Sequence, residues 1–307
     1  MFNGRNRVRV FNSSHHILYR NIAQKSMVSL TKCQKNSIIY SMIDTHTHCN
    51  HSGDSQADPR EMLLTAIGKG MEYYAFTDHC NRDFELADVY CMPPLDLDKH
   101  FVELEALRDE FADKIDVGVG MECGWSDEAQ EDYVAIEKKY PCDVIINSVH
   151  MVEKEDIYQQ PYFLAREKNK AYGDYLTAVR ASLDATYHYD IVGHVGYITR
   201  KAPYADKSLR RAEFSEMFDD ILRAIIAKGK ALEINTHTCS SVNNFIPSKE
   251  IFARYKQLGG ELVTFGSDAH RKENIGANYD FASEMLISLG YKYLFKYKAH
   301  KPIAVKI

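Results

Sequence analysis

From residue 38 onward, apolar and β-branched runs alternate with amphipathic stretches, and one run after another ends in histidines or carboxylates. In order these groups are His46 and His48 with Asp54 close behind, then His79, Glu122, His150, His194, and finally Asp268 with His270. Strict alternation of strand and helix implies parallel strands joined by helical crossovers. Seven such units fit a closed α/β barrel, where the carboxyl ends of the strands converge on a single mouth. A doubly wound open sheet is the competing closure. It is disfavoured because no glycine-rich phosphate loop follows the first strand.

The pattern predicts strands over 38–44, 73–77, 115–122, 144–152, 190–197, 231–235 and 261–265, with a short last run at 292–295. Helices are expected over 58–70, 97–111, 127–139, 169–185, 209–228, 249–258 and 281–289. The first helix carries its own punctuation: Asp58 as N-cap, Pro59 in the first turn and Gly70 as the stop.

The chemistry follows from residue type and spacing. Imidazole and carboxylate are the groups that first-row divalent metals bind. His46 and His48 lie two apart on an extended segment, so both side chains point to one face. Asp268 and His270 repeat that spacing at the last core strand. Nine such groups exceed what one ion uses, which points to a multinuclear hydrolytic centre. His100, His188 and His300 lack a neighbouring acidic motif and read as satisfied core histidines.

Bulk properties narrow the alternatives. The chain has 307 residues, 45% apolar and 26% charged, with a net charge of -5. A dedicated nucleic-acid binder normally shows a basic stripe, so nucleic acid is not the expected partner. The seven cysteines include no C-x-x-C pair and suit a reducing cytoplasm. Cys49, Cys80, Cys123 and Cys239 read as small buried fillers beside the motifs. No run approaches the ~18 apolar residues of a membrane span. Residues 1–41 carry seven Lys or Arg and no acid. They read as a basic, disordered extension whose composition is similar to a transit peptide. One domain is expected over 42–307.

Taken in order, the motifs HTH (46–48), TDH (77–79), GME (120–122), SVH (148–150), GHVGYI (193–198), EINT (233–236) and GSDAH (266–270) resemble the PHP (polymerase and histidinol phosphatase) superfamily. The resemblance runs from about residue 43 to 302 and is strongest to the histidinol-phosphatase branch. It implies a single-domain, distorted (β/α)7 barrel holding three divalent transition-metal ions, zinc, manganese or iron. By that resemblance the first ion takes His46, His48, Glu122 and Asp268. Glu122 also serves the second, with His150 and His194, and Asp54, His79 and His270 hold the third. His51 lies off the pattern and reads as a solvated loop residue.

The implied activity is hydrolysis of a small phosphorylated metabolite, L-histidinol phosphate first among them, as in histidine biosynthesis. A hydroxide bridging two metals would attack phosphorus, with Glu122, Asp268 and His270 as the catalytic residues. A PHP-type phosphodiesterase or exonuclease is the alternative, and the acidic net charge counts against it. Arg200 is placed to grip phosphate bidentately. In the histidinol-phosphatase branch an arginine follows the Asn-Thr segment. Here His237 follows instead, with no arginine before Arg254, so His237 and Asn243 are expected to supply substitute contacts.

Overall fold

The computed structural model describes Met1 and residues 41–82, 94–237 and 245–307. The fold occupies Ser41–Ile307. The basic extension expected over 1–41 therefore lies, apart from its two ends, outside the described residues, as do Cys239 and Asn243. In chain order the strands are β1 (Met42–Asp44), β2 (Met71–Cys80), β3 (Asp116–Gly124), β4 (Val144–Ser148), β5 (Met151–Val152), β6 (Glu155–Asp156), β7 (Ile191–Val192), β8 (Ala231–Asn235), β9 (Val263–Gly266), β10 (Tyr293–Lys298) and β11 (Lys301–Lys306). The helices are α1 (Pro59–Gly68), α2 (Leu97–Glu110), α3 (Gln130–Lys139), α4 (Gln160–Phe163), α5 (Lys168–Ser182), α6 (Ser215–Ala227), α7 (Lys249–Gln257) and α8 (Tyr279–Ser288).

Seven strands form one sheet in the order β1-β2-β3-β4-β7-β8-β9, every neighbouring pair parallel. The sheet closes on itself just past the ends of β1 and β9. There the Thr45 N–H donates to the Phe265 carbonyl (2.9 Å), Asp268 N–H to His46 (2.8 Å) and His48 N–H to Ala269 (2.9 Å). This is the closed α/β barrel expected from the alternation, in the distorted (β/α)7 form that the resemblance implies.

The local causes are legible. In β4 and β8 every residue is buried, as befits strands covered on both faces. Helix α6 buries Phe218, Ile221, Leu222 and Ile225, an i, i+3, i+4, i+7 stripe turned to the sheet. Asp58 caps α1 by accepting the Glu61 N–H at 2.9 Å, with Pro59 in the first turn, as predicted. None of the described helices is long and apolar enough to cross a membrane. Cys49, Cys80 and Cys123 are buried free thiols, as expected for fillers, and Cys142 is a further one.

Three departures from the predicted elements have physical reasons. The expected strand 190–197 shrinks to β7, because His194 and Gly196 take positive φ (21° and 127°) and turn the chain into a short 3-10 segment over Tyr197–Thr199. The expected strand 144–152 breaks after Ser148, and β5 then pairs with β6 as a small hairpin. The last run lengthens into the antiparallel hairpin β10–β11. Its turn is pinned beneath the barrel: Ala299 N–H donates to Asp143 Oδ1 (3.1 Å) and His300 N–H to the Asp143 carbonyl (3.0 Å).

Candidate metal centre

All nine ligand-type side chains expected from the sequence come together at the carboxyl ends of the strands. Glu122, near the end of β3 and fully buried, sits at the centre. Its Oε2 lies 2.7 Å from His79 Nδ1, 3.4 Å from His46 Nε2 and 3.6 Å from His48 Nε2. Its Oε1 lies 2.8 Å from His194 Nε2 and 3.2 Å from His150 Nε2. Asp268 Oδ1 approaches His48 Nε2 at 3.3 Å, and Asp54 Oδ2 lies 3.1 Å from His270 Nε2 and 3.5 Å from His79 Nε2. The rings of His48 and His270 stack at 4.2 Å.

These contacts suit cations better than they suit one another. The Nε2 atoms of His46 and His48 face each other at 3.0 Å, and those of His150 and His194 at 3.3 Å. Only one nitrogen of such a pair can carry the intervening proton. His79 Nδ1 and Glu122 Oε2 are both buried and close, yet neither makes a hydrogen bond. Buried polar atoms without partners are costly, and a positive ion between the lone pairs removes that cost. Among the described residues, triads whose ligand atoms lie within 4.8 Å of one another include His46–His48–Asp268, His46–Glu122–His194, His79–Glu122–His150 and His48–His79–His270. The residues therefore fit a multinuclear centre.

Charge and backbone agree. Burial opposes charge on Glu122, but His46, His150 and His79 outweigh it and hold the carboxyl well below its usual range. Burial likewise opposes charge on His46, and Glu233, Glu122 and Asp268 overcome it and push that ring up. His48 goes the other way, down to about 3, through burial and then the neighbouring His79 and His270. A neutral ring is the form that ligates metal. His194 and Asp268 both adopt left-handed φ (21° and 51°), strain costing on the order of 1–3 kcal/mol each. That two strained residues belong to this cluster indicates placement of side chains over backbone comfort.

Glu233 was visible only as the acid of the EINT motif, and its part in the site emerges from the fold. Fully buried in β8, its Oε1 lies 2.6 Å from His46 Nδ1, and its Oε2 accepts the His194 N–H at 2.6 Å. It thereby fixes the His46 tautomer, aims Nε2 into the cluster and secures the strained turn at His194. Gly266 leaves room for it: a Cβ there would lie 2.1 Å from Glu233 Oε1 and 2.7 Å from His46 Cβ. An acid inside an apolar strand run is the signal that marks such a residue. Glu233→Gln is expected to weaken metal binding about 10- to 100-fold with the fold retained, read by chelator competition and circular dichroism.

Arg200 reaches the site, but its guanidinium is engaged, Nη1 with Asp268 Oδ2 (3.0 Å) and Nη2 with Asn235 Oδ1 (2.6 Å), and it stacks on Tyr197. His237 Nδ1 lies 2.6 Å from the Asp268 carbonyl. Arg200 and His237 face a cleft of ≈ 1220 Å³ lined also by Thr199, Phe245, Ile246 and Phe281. His51 is not a solvated loop residue. It is largely covered, with Nε2 3.1 Å from Glu103 Oε2 and its ring edge-on to His100. His100 is the buried core residue expected, with Nε2 3.0 Å from the Gly120 carbonyl and Nδ1 3.3 Å from Asp78 Oδ2. His188 and His300 are not core residues; they share the carboxylate of Asp190.

Comparison with known proteins agrees with this geometry. The PHP domain family model matches residues 44–237, more than half the chain. A histidinol-phosphatase of Lactococcus lactis subsp. lactis is 34% identical over 229 residues, covering 74% of this chain and 84% of the relative. A probable histidinol-phosphatase of Clostridium acetobutylicum is 29% identical, covering 83% and 96%. The crystal structure of the Lactococcus lactis histidinol phosphate phosphatase, complexed with zinc, L-histidinol and phosphate, superimposes with a TM-score of 0.79 at 30% identity, covering 86% of this chain and 99% of that one. This chain belongs to the PHP domain family.

Proposed function

We propose that the chain is a metal-dependent phosphomonoesterase that hydrolyses L-histidinol phosphate to L-histidinol and phosphate, the phosphatase step of histidine biosynthesis. One observation carries this reading: nine ligand-type side chains, Glu122 at their centre, converge at the mouth of a barrel shared, at 30% identity, with an enzyme crystallised with zinc and both products. Zinc, manganese or iron are the ions the mixed imidazole and carboxylate set suits. His46, His48, Glu122 and Asp268 would hold one ion, Glu122 with His150 and His194 a second, and Asp54, His79 and His270 a third. When bound, these ions supply positive charge against the phosphate dianion and acidify a nearby water.

The chain's own groups complete the reaction. Water oxygen attacks phosphorus, the bond from phosphorus to the substrate's alkoxide oxygen breaks, and that alkoxide takes a proton. That proton is the one the attacking water gives up, and we assign its transfer to Asp268, because the His270 ring would give its lone pair to an ion. Arg200 holds Asp268 in place, and together with His237 it borders the cleft where the phosphate would enter. We assign this chemistry to a domain over 42–307. We place it in the cytoplasm, a reading supported by the four buried free thiols.

The test is phosphate release by zinc- or manganese-loaded protein from a panel of monoesters and DNA ends. The highest kcat/KM is expected on L-histidinol phosphate. Activity on single-stranded DNA ends with none on any monoester contradicts the proposal.

A further inference from the structure

A second group of metal-binding side chains lies at the opposite end of the barrel from the mouth. Asp190 immediately precedes β7, whereas His194 of the mouth follows it. The Asp190 carboxylate is buried, with Oδ1 2.9 Å from His188 Nε2 and Oδ2 2.9 Å from His300 Nδ1. The two rings meet at 4.4 Å, nearly edge to face. His188 comes from the loop between α5 and β7, and His300 from the turn of the β10–β11 hairpin. Their ligand atoms and that of Asp190 lie within 4.8 Å of one another, as close as the triads around Glu122.

We propose that His188, Asp190 and His300 form a structural binding site for a borderline divalent cation such as zinc, copper or nickel, which staples the β10–β11 hairpin to the underside of the barrel. Two imidazoles and one carboxylate, with water in the remaining position, are a ligand set such ions accept. Binding needs no co-reactant. The ring nitrogens now facing Asp190 give their lone pairs to the ion, and the proton that Asp190 favours on His300 leaves to water. The side chains of His188 and His300 are 38% and 26% exposed, so a hydrated ion reaches them without any opening of the fold.

Two further observations favour the site. The first is charge. Glu137 Oε2 accepts the His188 N–H at 3.0 Å, and Asp143 Oδ1 accepts the Ala299 N–H at 3.1 Å, so two more carboxylates border the triad. Lys298 and Arg108 approach Asp143 at 3.5 and 3.7 Å and offset that one. Ile145 N–H donates to Asp190 Oδ2. The second is the turn itself. Ala299 and His300 are the two loop residues of the hairpin, and both take positive φ (46° and 63°). Such turns favour Asn-Gly, so a histidine here is backbone strain accepted where it brings an imidazole to Asp190.

The experiment uses protein whose mouth is already loaded with metal, then adds zinc. Wild-type protein is expected to bind one ion more per chain than a His188→Gln/His300→Asn double variant. Asparagine tolerates the left-handed turn, so the hairpin should persist. At about a hundred-fold excess over Kd, added zinc should raise the wild-type melting temperature by about 4 °C and leave the variant's unchanged. Phosphatase activity of the variant should equal that of the wild type. If the double variant fails to fold, the exposed His188→Gln change alone carries the same comparison. Equal ion content and an equal zinc-induced shift in variant and wild type would overturn the proposal.

Discussion

Replacing Glu122 by Gln is expected to lower phosphate release from L-histidinol phosphate by at least about 10³-fold and to strip metal from the mouth. The two carboxylate oxygens of Glu122 divide their contacts among five imidazoles: His46, His48 and His79 on one, His150 and His194 on the other. A glutamine keeps the shape but loses the charge. Its amide would also turn two hydrogens toward ring nitrogens that should face an ion. Metal analysis and steady-state kinetics read the effect, and unchanged circular dichroism separates it from unfolding. Full activity in a metal-replete variant would remove Glu122 from the centre of the site.

The largest effect on stability is expected from Gly120→Ala. Gly120 pairs with Val144 at the start of the β3–β4 register. A Cβ at Gly120 would lie 1.9 Å from the Val144 carbonyl oxygen and 2.9 Å from its carbonyl carbon. Overpacking typically costs 1–3 kcal/mol where side chains can yield. Here the opposing atoms are main chain, so relief requires β3 to part from β4, two residues from Glu122. A loss of about 3 kcal/mol or more is expected, measured from the urea unfolding midpoint. Gly68 at the end of α1 is the control: nothing lies within 4 Å of a Cβ there. Gly68→Ala should leave stability unchanged or raise it by up to ~1 kcal/mol.

The barrel and its mouth were legible in the sequence because both arise from local pattern. Alternating strand and helix leaves few closures, and a ligand-type residue at each strand end marks the face where they meet. What escaped the sequence depends on distant partners. The strand predicted over 190–197 ends early because His194 turns, and its N–H is held by Glu233, 39 residues away. Glu233 itself reads as a strand residue until the fold brings it to His46 across 187 residues. His188 and His300 carry no local motif. They become a pair only through Asp190, 110 residues before His300. Arg200 was legible as a site residue, but its pairing with Asp268 and Asn235 was not, since those contacts span 68 and 35 residues.

Hydrolysis is proposed to depend on metals held by the nine side chains at the mouth. Anomalous diffraction from crystals of the zinc-loaded protein tests it most directly. Three zinc peaks are expected at the mouth, each ligated by members of the set His46, His48, Asp54, His79, Glu122, His150, His194, Asp268 and His270. Zinc absent from the mouth of protein that still releases phosphate from L-histidinol phosphate would contradict it.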